Sequence, residues 1–128
     1  MIASTTEMKP RLLMLSTLAS ALAYVPLAVA HVFLDHSIPG AGSAVHESPA
    51  QLKLWFSERL NPPFSKAEVV DGSGKRVDKG DPQVDRADPK LLRIPLPPLA
   101  PGRFRVTWRV VSVDTHVAEG EFTFDIAP

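Results

Sequence analysis

From Arg103 to Val110 every second residue is large and apolar: Phe104, Val106, Trp108 and Val110 fall on one side, with Arg103, Arg105, Thr107 and Arg109 on the other. Successive side chains of a β-strand point to opposite faces, so this octet reads as a strand with one buried and one wet face. Gln51–Ser57 repeats the pattern with Leu52, Leu54 and Phe56, and Glu121–Ile126 with Phe122, Phe124 and Ile126. Shorter strands are expected at 32–38, 67–71, 75–79 and 91–96. Eleven of the thirteen prolines follow residue 30. That leaves no room for a long helix there, because proline lacks an N–H and its ring clashes with the preceding turn. Asp71-Gly72-Ser73-Gly74 marks a hairpin, while Pro39-Gly40, Pro62-Pro63 and Pro101-Gly102 punctuate the rest. The polar stretch 81–90 is expected to be a loop, and Trp55 and Trp108 to fill core space. About seven short strands over roughly a hundred residues form the pattern of an all-β, Ig-like β-sandwich.

The first thirty residues have a different character. Lys9 and Arg11 precede the apolar run Leu12–Val29, which closes on Ala28-Val29-Ala30. A basic start, an apolar middle and small residues at minus three and minus one make a secretory signal. The alternative is a retained membrane anchor, but the run is near the lower limit for a span and is interrupted by Ser16, Thr17, Ser20 and Pro26. Cleavage is therefore expected after Ala30, with Ala23 a poorer site, and Met8 heads a tidier signal than Met1. The division is then a signal at 1–30 and one small domain at 31–128. Removing Lys9, Arg11 and Glu7 with the leader leaves twelve basic and thirteen acidic side chains, close to neutrality. No clustered basic surface suits nucleic acid, since Arg103, Arg105 and Arg109 lie on the wet face of one strand. With no second apolar span, the exported protein is expected to be soluble; the leader makes the periplasm its expected compartment, and a monomer its expected state.

There is no cysteine, so export has not been used to build disulfides. All three methionines (Met1, Met8, Met14) lie in the leader, and all four histidines (His31, His36, His46, His116) lie beyond it. A metal site in the exported domain must therefore use nitrogen and oxygen. That excludes the soft ligands suited to Cu(I) and permits Cu(II), Zn(II) or Ni(II).

Cleavage after Ala30 would expose a free amine on His31, the residue that also carries an imidazole. The amine and Nδ1 of an N-terminal histidine close a chelate ring on one metal ion, and an α-amino group with a pKa near roughly 8 yields its proton readily to a competing metal. Position alone would not distinguish this from an accident of processing. Near the other terminus stands Ser112-Val113-Asp114-Thr115-His116. Residues two apart in an extended chain point the same way, so Asp114 and His116 are expected to present a carboxylate and an imidazole together. Taken alone such a triplet is more often a hydrogen-bonded turn, and its weight comes from coincidence with His31. Three nitrogens and one oxygen make a tetragonal set, the geometry favoured by Cu(II), which also heads the divalent affinity order. His36 is expected to be structural or solvated, and His46, beside Glu47, a loop histidine.

The residues resemble the CopC-type periplasmic copper-resistance proteins over essentially the whole exported chain. The resemblance runs through the histidine start, Phe56-Ser57-Glu58, Phe64-Ser65, Asp88-Pro89-Lys90 and Leu99-Ala100-Pro101-Gly102. It continues through Trp108-Arg109-Val110-Val111-Ser112-Val113-Asp114-Thr115-His116 and closes with Gly120-Glu121-Phe122-Thr123-Phe124. It implies a Greek-key β-sandwich and one Cu(II) held by His31, Asp114 and His116, with Glu58 as a peripheral acidic group. It also implies hand-over to an inner-membrane copper importer of the CopD type. Some members carry a Met-rich loop with a separate Cu(I) site. Without methionine after residue 14, this chain resembles the Cu(II)-only members.

Two other classes bear on the same residues. A copper mono-oxygenase attacking polysaccharide also uses an N-terminal histidine brace on a sandwich. Asp114 as an anionic ligand would stabilise Cu(II) over Cu(I) and fill the position that oxygen needs. The chain also has no evident loops for a flat aromatic platform, so a binder rather than an enzyme is expected. A metal-free adhesion or scaffolding sandwich would bind no copper tightly once its N-terminus is freed.

Overall fold

The computed structural model describes residues 31–128, so the expected signal at 1–30 lies outside the described residues. Eight strands follow in order: β1 (Leu34–Ile38), β2 (Ala44–Val45), β3 (Gln51–Phe56), β4 (Lys66–Val70), β5 (Gln83–Val84), β6 (Leu91–Pro95), β7 (Gly102–Val111) and β8 (Val117–Ile126). One short 3-10 turn, Pro62–Phe64, is the sole helical element among the described residues. The strands form two sheets, ordered β1-β3-β6-β5 and β2-β8-β7-β4. The chain crosses repeatedly between them, which makes the architecture an Ig-like Greek-key sandwich.

Period-two alternation fixes what lies between the sheets. Leu52, Leu54 and Phe56 of β3, with Leu92 and Ile94 of β6, face Val69 of β4, Phe104, Val106 and Val110 of β7, and Phe124 and Ile126 of β8. Each such side chain contributes about 1.5–3 kcal/mol through burial. Trp108 lies on the same face of β7 but is only partly buried, edge-on to Phe56 and tilted against Phe122. Its indole leans across Gly120, its partner on β8, where a Cβ would collide with the ring. Small residues on both flanks, Gly120 and Ala67, make room for the indole. On the outer face Arg103 pairs with Asp125 and Arg109 with Glu119, each across the β7–β8 register.

Trp55 does not fill the core. Because Leu54 and Phe56 point inward, residue 55 must point outward, and its ring stacks on His36 at 4.3 Å and 9°. His36 in turn shares a 2.8 Å hydrogen bond through Nδ1 with Asp35 and is exposed.

The strand expected at 75–79 is also absent. The hairpin turn before it forms as read, with Asp71 Oδ1 accepting from the Ser73 and Lys75 N–H groups. Beyond a bridge at Arg76 and one bond from Val77 N–H to Val69 C=O, a side chain replaces the ladder. The Asp78 carboxylate takes the Val69 N–H at 2.8 Å, and the segment bends away. The expected loop at 81–90 does contain the two-residue β5, and β8 starts four residues earlier than its alternation suggested.

Candidate metal centre

Three segments carrying the candidate ligands converge at one end of the sandwich. Residues 31–33 run beside the end of β3: Phe33 donates its N–H to Ser57 Oγ at 3.0 Å, and its C=O accepts the Ser57 N–H at 2.9 Å. Ser57 Oγ also reaches the His31 C=O at 3.5 Å. Two residues on, the Arg59 C=O accepts the Val113 N–H at 2.9 Å, and Leu60 bridges Ser112. Glu58 stands between these attachments, half-buried. Residues 57–60 therefore tie the His31 segment to the connection between β7 and β8, which carries Asp114 and His116.

That connection is not extended, as the spacing argument required. Thr115 N–H donates to the Ser112 C=O and Ser112 N–H to the His116 C=O, both at 2.9 Å, so Val113, Asp114 and Thr115 form a tight hairpin loop. Thr115 has φ +69°, the left-handed conformation that usually closes a three-residue hairpin loop. A β-branched residue is strained there. Asp114 and His116 are thus brought together by a turn rather than by alternation along a strand.

Asp114 and His31 are exposed, and His116 is partly buried. Among the described residues, no three His, Asp or Glu side chains are gathered closely enough to hold a metal ion. The backbones converge while the side chains do not close. In the full chain His31 is joined to Ala30, so its nitrogen is an amide and not an amine. One atom does fit a metal: His116 Nδ1 is buried and has no hydrogen-bond partner among the described residues. Leaving such a nitrogen dry and unpaired costs about 1–3 kcal/mol, which a bound ion would offset. A cleft of about 740 Å³ opens along the outer edge of β4 beside Trp108, and none of the four candidate residues lines it.

Residues 34–127 match the CopC domain. The chain belongs to the CopC family. It is 40% identical over 106 residues to copper resistance protein C of Escherichia coli, covering 77% of this chain and 83% of that one. The crystal structure of CopC from Methylosinus trichosporium OB3b superposes with a TM-score of 0.69 at 35% identity, covering 77% of this chain and 95% of that one. PcoC, a methionine-rich copper resistance protein from Escherichia coli, gives 0.64 at 38% identity, covering 76% and 99%. Copper transport protein CutJ of Bacillus subtilis is 29% identical over 98 residues, 76% of this chain but 18% of its own length. In that relative a CopC-like region is one part of a much longer chain.

The family is thus one of copper resistance and copper transport proteins. Unlike methionine-rich PcoC, this chain has no methionine after residue 14. Two residues that organise the candidate site escaped the sequence reading. Ser57 anchors the His31 segment, and Ser112, fully buried, closes the turn that carries Asp114. Both lie within stretches that carry the family resemblance, but nothing in a lone serine signals such a role.

Proposed function

We propose that the exported protein, cut after Ala30, binds one Cu(II) ion and carries it in the periplasm. The amine and Nδ1 of His31, the Asp114 carboxylate and the His116 imidazole supply three nitrogens and one oxygen, with Glu58 alongside. The observation that supports this reading is a pair of hydrogen-bonded attachments two residues apart on one segment, Ser57 to residues 31–33 and Arg59 to Val113, which bring the backbones carrying the two halves of the set toward one end. An anionic oxygen among the ligands and the lack of sulfur would favour Cu(II) and disfavour cycling to Cu(I). The protein is accordingly a non-enzymatic, monomeric binder that sequesters or delivers copper.

Delivery to a CopD-type importer is supported by two observations. In CutJ the matching region is part of a copper transport protein. Of the five large exposed apolar residues among the described residues, Phe33 and Val113 lie on the segments that meet at the ligand end and Val117 directly follows one of them, while Phe64 ends the 3-10 turn and Ile38 ends β1. The test is mass spectrometry of the exported protein with a Cu(II) titration of the same preparation. The expected result is a first residue of His31 and one tightly held Cu(II) per chain. A protein that begins at His31 and holds Cu(II) no better than a surface histidine would refute the reading.

A further inference from the structure

We propose that Ser112 is the positioning residue for the Asp114–His116 half of the copper site, an inference that rests on the copper reading above. A metal-binding histidine is ordinarily oriented by a hydrogen bond from its second ring nitrogen to a carboxylate or carbonyl. His116 has no such partner: Nδ1, the atom left free for the metal, is buried and unpaired, and Nε2 makes no hydrogen bond to any described residue either. The direction of its ring is therefore set by the backbone that carries it.

Ser112 holds that backbone with three groups. Its N–H donates to the His116 C=O at 2.9 Å, its C=O accepts the Thr115 N–H at 2.9 Å, and its hydroxyl oxygen accepts the His116 N–H at 3.2 Å. The first two are available to any residue. The third belongs to the side chain alone.

Two features show how much is asked of this clamp. Ser112 is completely buried and bridged to Leu60, so water does not readily replace its hydroxyl. Thr115 sits at φ +69°, and a β-branched residue persists there only where the surroundings impose it. Without the hydroxyl, the His116 N–H loses its acceptor and the strained turn has freedom to relax. That would move the Asp114 carboxylate relative to the His116 ring. Ser112 touches no metal in this scheme and acts through the placement of the two ligands.

The test uses the processed protein with Cu(II) and a competing chelator, together with the electron paramagnetic resonance spectrum of the Cu(II) form. Ser112→Ala is expected to weaken Cu(II) binding about tenfold, the lower end of what removing a residue that orients a ligand costs. It should also change the copper hyperfine splitting, which a merely less stable sandwich would not do. Ser112→Thr keeps the oxygen and should restore both. If Ser112→Ala does not fold, the Ser112→Ala/Thr115→Gly pair is compared with Thr115→Gly alone, because glycine adopts the positive φ without strain. Wild-type affinity and spectrum in the alanine variant would overturn the inference. Failure of the wild-type protein to bind Cu(II) would instead overturn the copper reading itself.

Discussion

Asp78 is the residue whose loss the sandwich should feel most sharply relative to its modest sequence signal. Its side chain is fully enclosed, and its two oxygens accept four hydrogen bonds. These come from Val69 N–H at 2.8 Å, Arg76 Nε and Nη2 at 3.0 Å each, and Gly80 N–H at 2.8 Å. Asp78→Ala removes all four acceptors, but not at equal cost. Gly80 is exposed and Arg76 about half so, and water replaces those partners for at most about 1 kcal/mol. Val69 has no solvent exposure, so its N–H stays dry and costs about 1–3 kcal/mol. The total is about 1–4 kcal/mol, which in a domain of this size lowers Tm by roughly 4–30 °C. Urea unfolding followed by far-UV circular dichroism measures it directly. A loss under about 1 kcal/mol would show that water reaches Val69 and that the carboxylate does not stand in for a strand.

The same carboxylate gives a pH signature. Burial alone would raise its pKa, but hydrogen bonds from Arg76, Val69 and Gly80 outweigh burial and hold it below the ordinary carboxylate range. A carboxyl depressed on folding stabilises fully above its unfolded value, about 3.9, and loses that contribution as pH falls toward the folded value. The wild-type protein should therefore lose more stability than Asp78→Ala between about pH 5 and pH 3. Asp71 and Asp125 are also depressed, by Ser73 and by Arg103 respectively, but they remain in both proteins and cancel. Parallel pH curves for the two proteins would contradict the assignment.

Other expectations follow from single contacts. Gly120→Ala places a methyl in collision with Cζ2 of Trp108 and 2.8 Å from its Cε2, so the indole must shift; overpacking of this kind costs about 1–3 kcal/mol, and the Trp108 fluorescence maximum should move. Asp114→Ala and His116→Ala should each weaken Cu(II) binding in a chelator competition while leaving the fold intact by circular dichroism. If neither does, the second half of the proposed site is wrong. Trp55→Ala removes the stack on His36 from the outer face and should leave Cu(II) affinity unchanged, which the same titration checks.

The sandwich was legible because its core-forming strands obey a period of two, and parity decides burial better than residue size does. Trp55 illustrates this. Its bulk suggested the core, yet its neighbours Leu54 and Phe56 already required it to point outward. The missing strand at 75–79 was not legible, because a carboxylate replacing a ladder bond is a tertiary event with no local pattern. The candidate site shows the same limit. Asp114 and His116 were singled out by type and spacing, but the extended geometry assumed for them does not occur. A left-handed Thr115 carries none of the glycine or asparagine signal that marks such turns. The convergence of residues 31–33, 57–60 and 112–116 depends on pairings across the fold that no window of sequence displays.

Processing and folding are separable in this arrangement, and that yields the sharpest test of the N-terminal half of the site. The sandwich grips the start of the chain through the His31 C=O and the Phe33 N–H and C=O, while the His31 nitrogen enters no hydrogen bond among the described residues. Cutting after Ala30 therefore changes that nitrogen from amide to amine without breaking a hydrogen bond to the described residues. A protein beginning at His31 and one carrying Ala30 ahead of it should melt at the same temperature without metal. Cu(II) should separate them. Copper at a hundred times its Kd stabilises the processed form by about 2.7 kcal/mol, or roughly 10–20 °C in Tm for a domain of this size. At the same free copper the extended form, lacking the chelating amine, should gain a small fraction of that. Equal shifts in the two proteins would mean that His31 contributes no more than an imidazole. Unequal melting before copper is added would mean that the amine has a structural role instead.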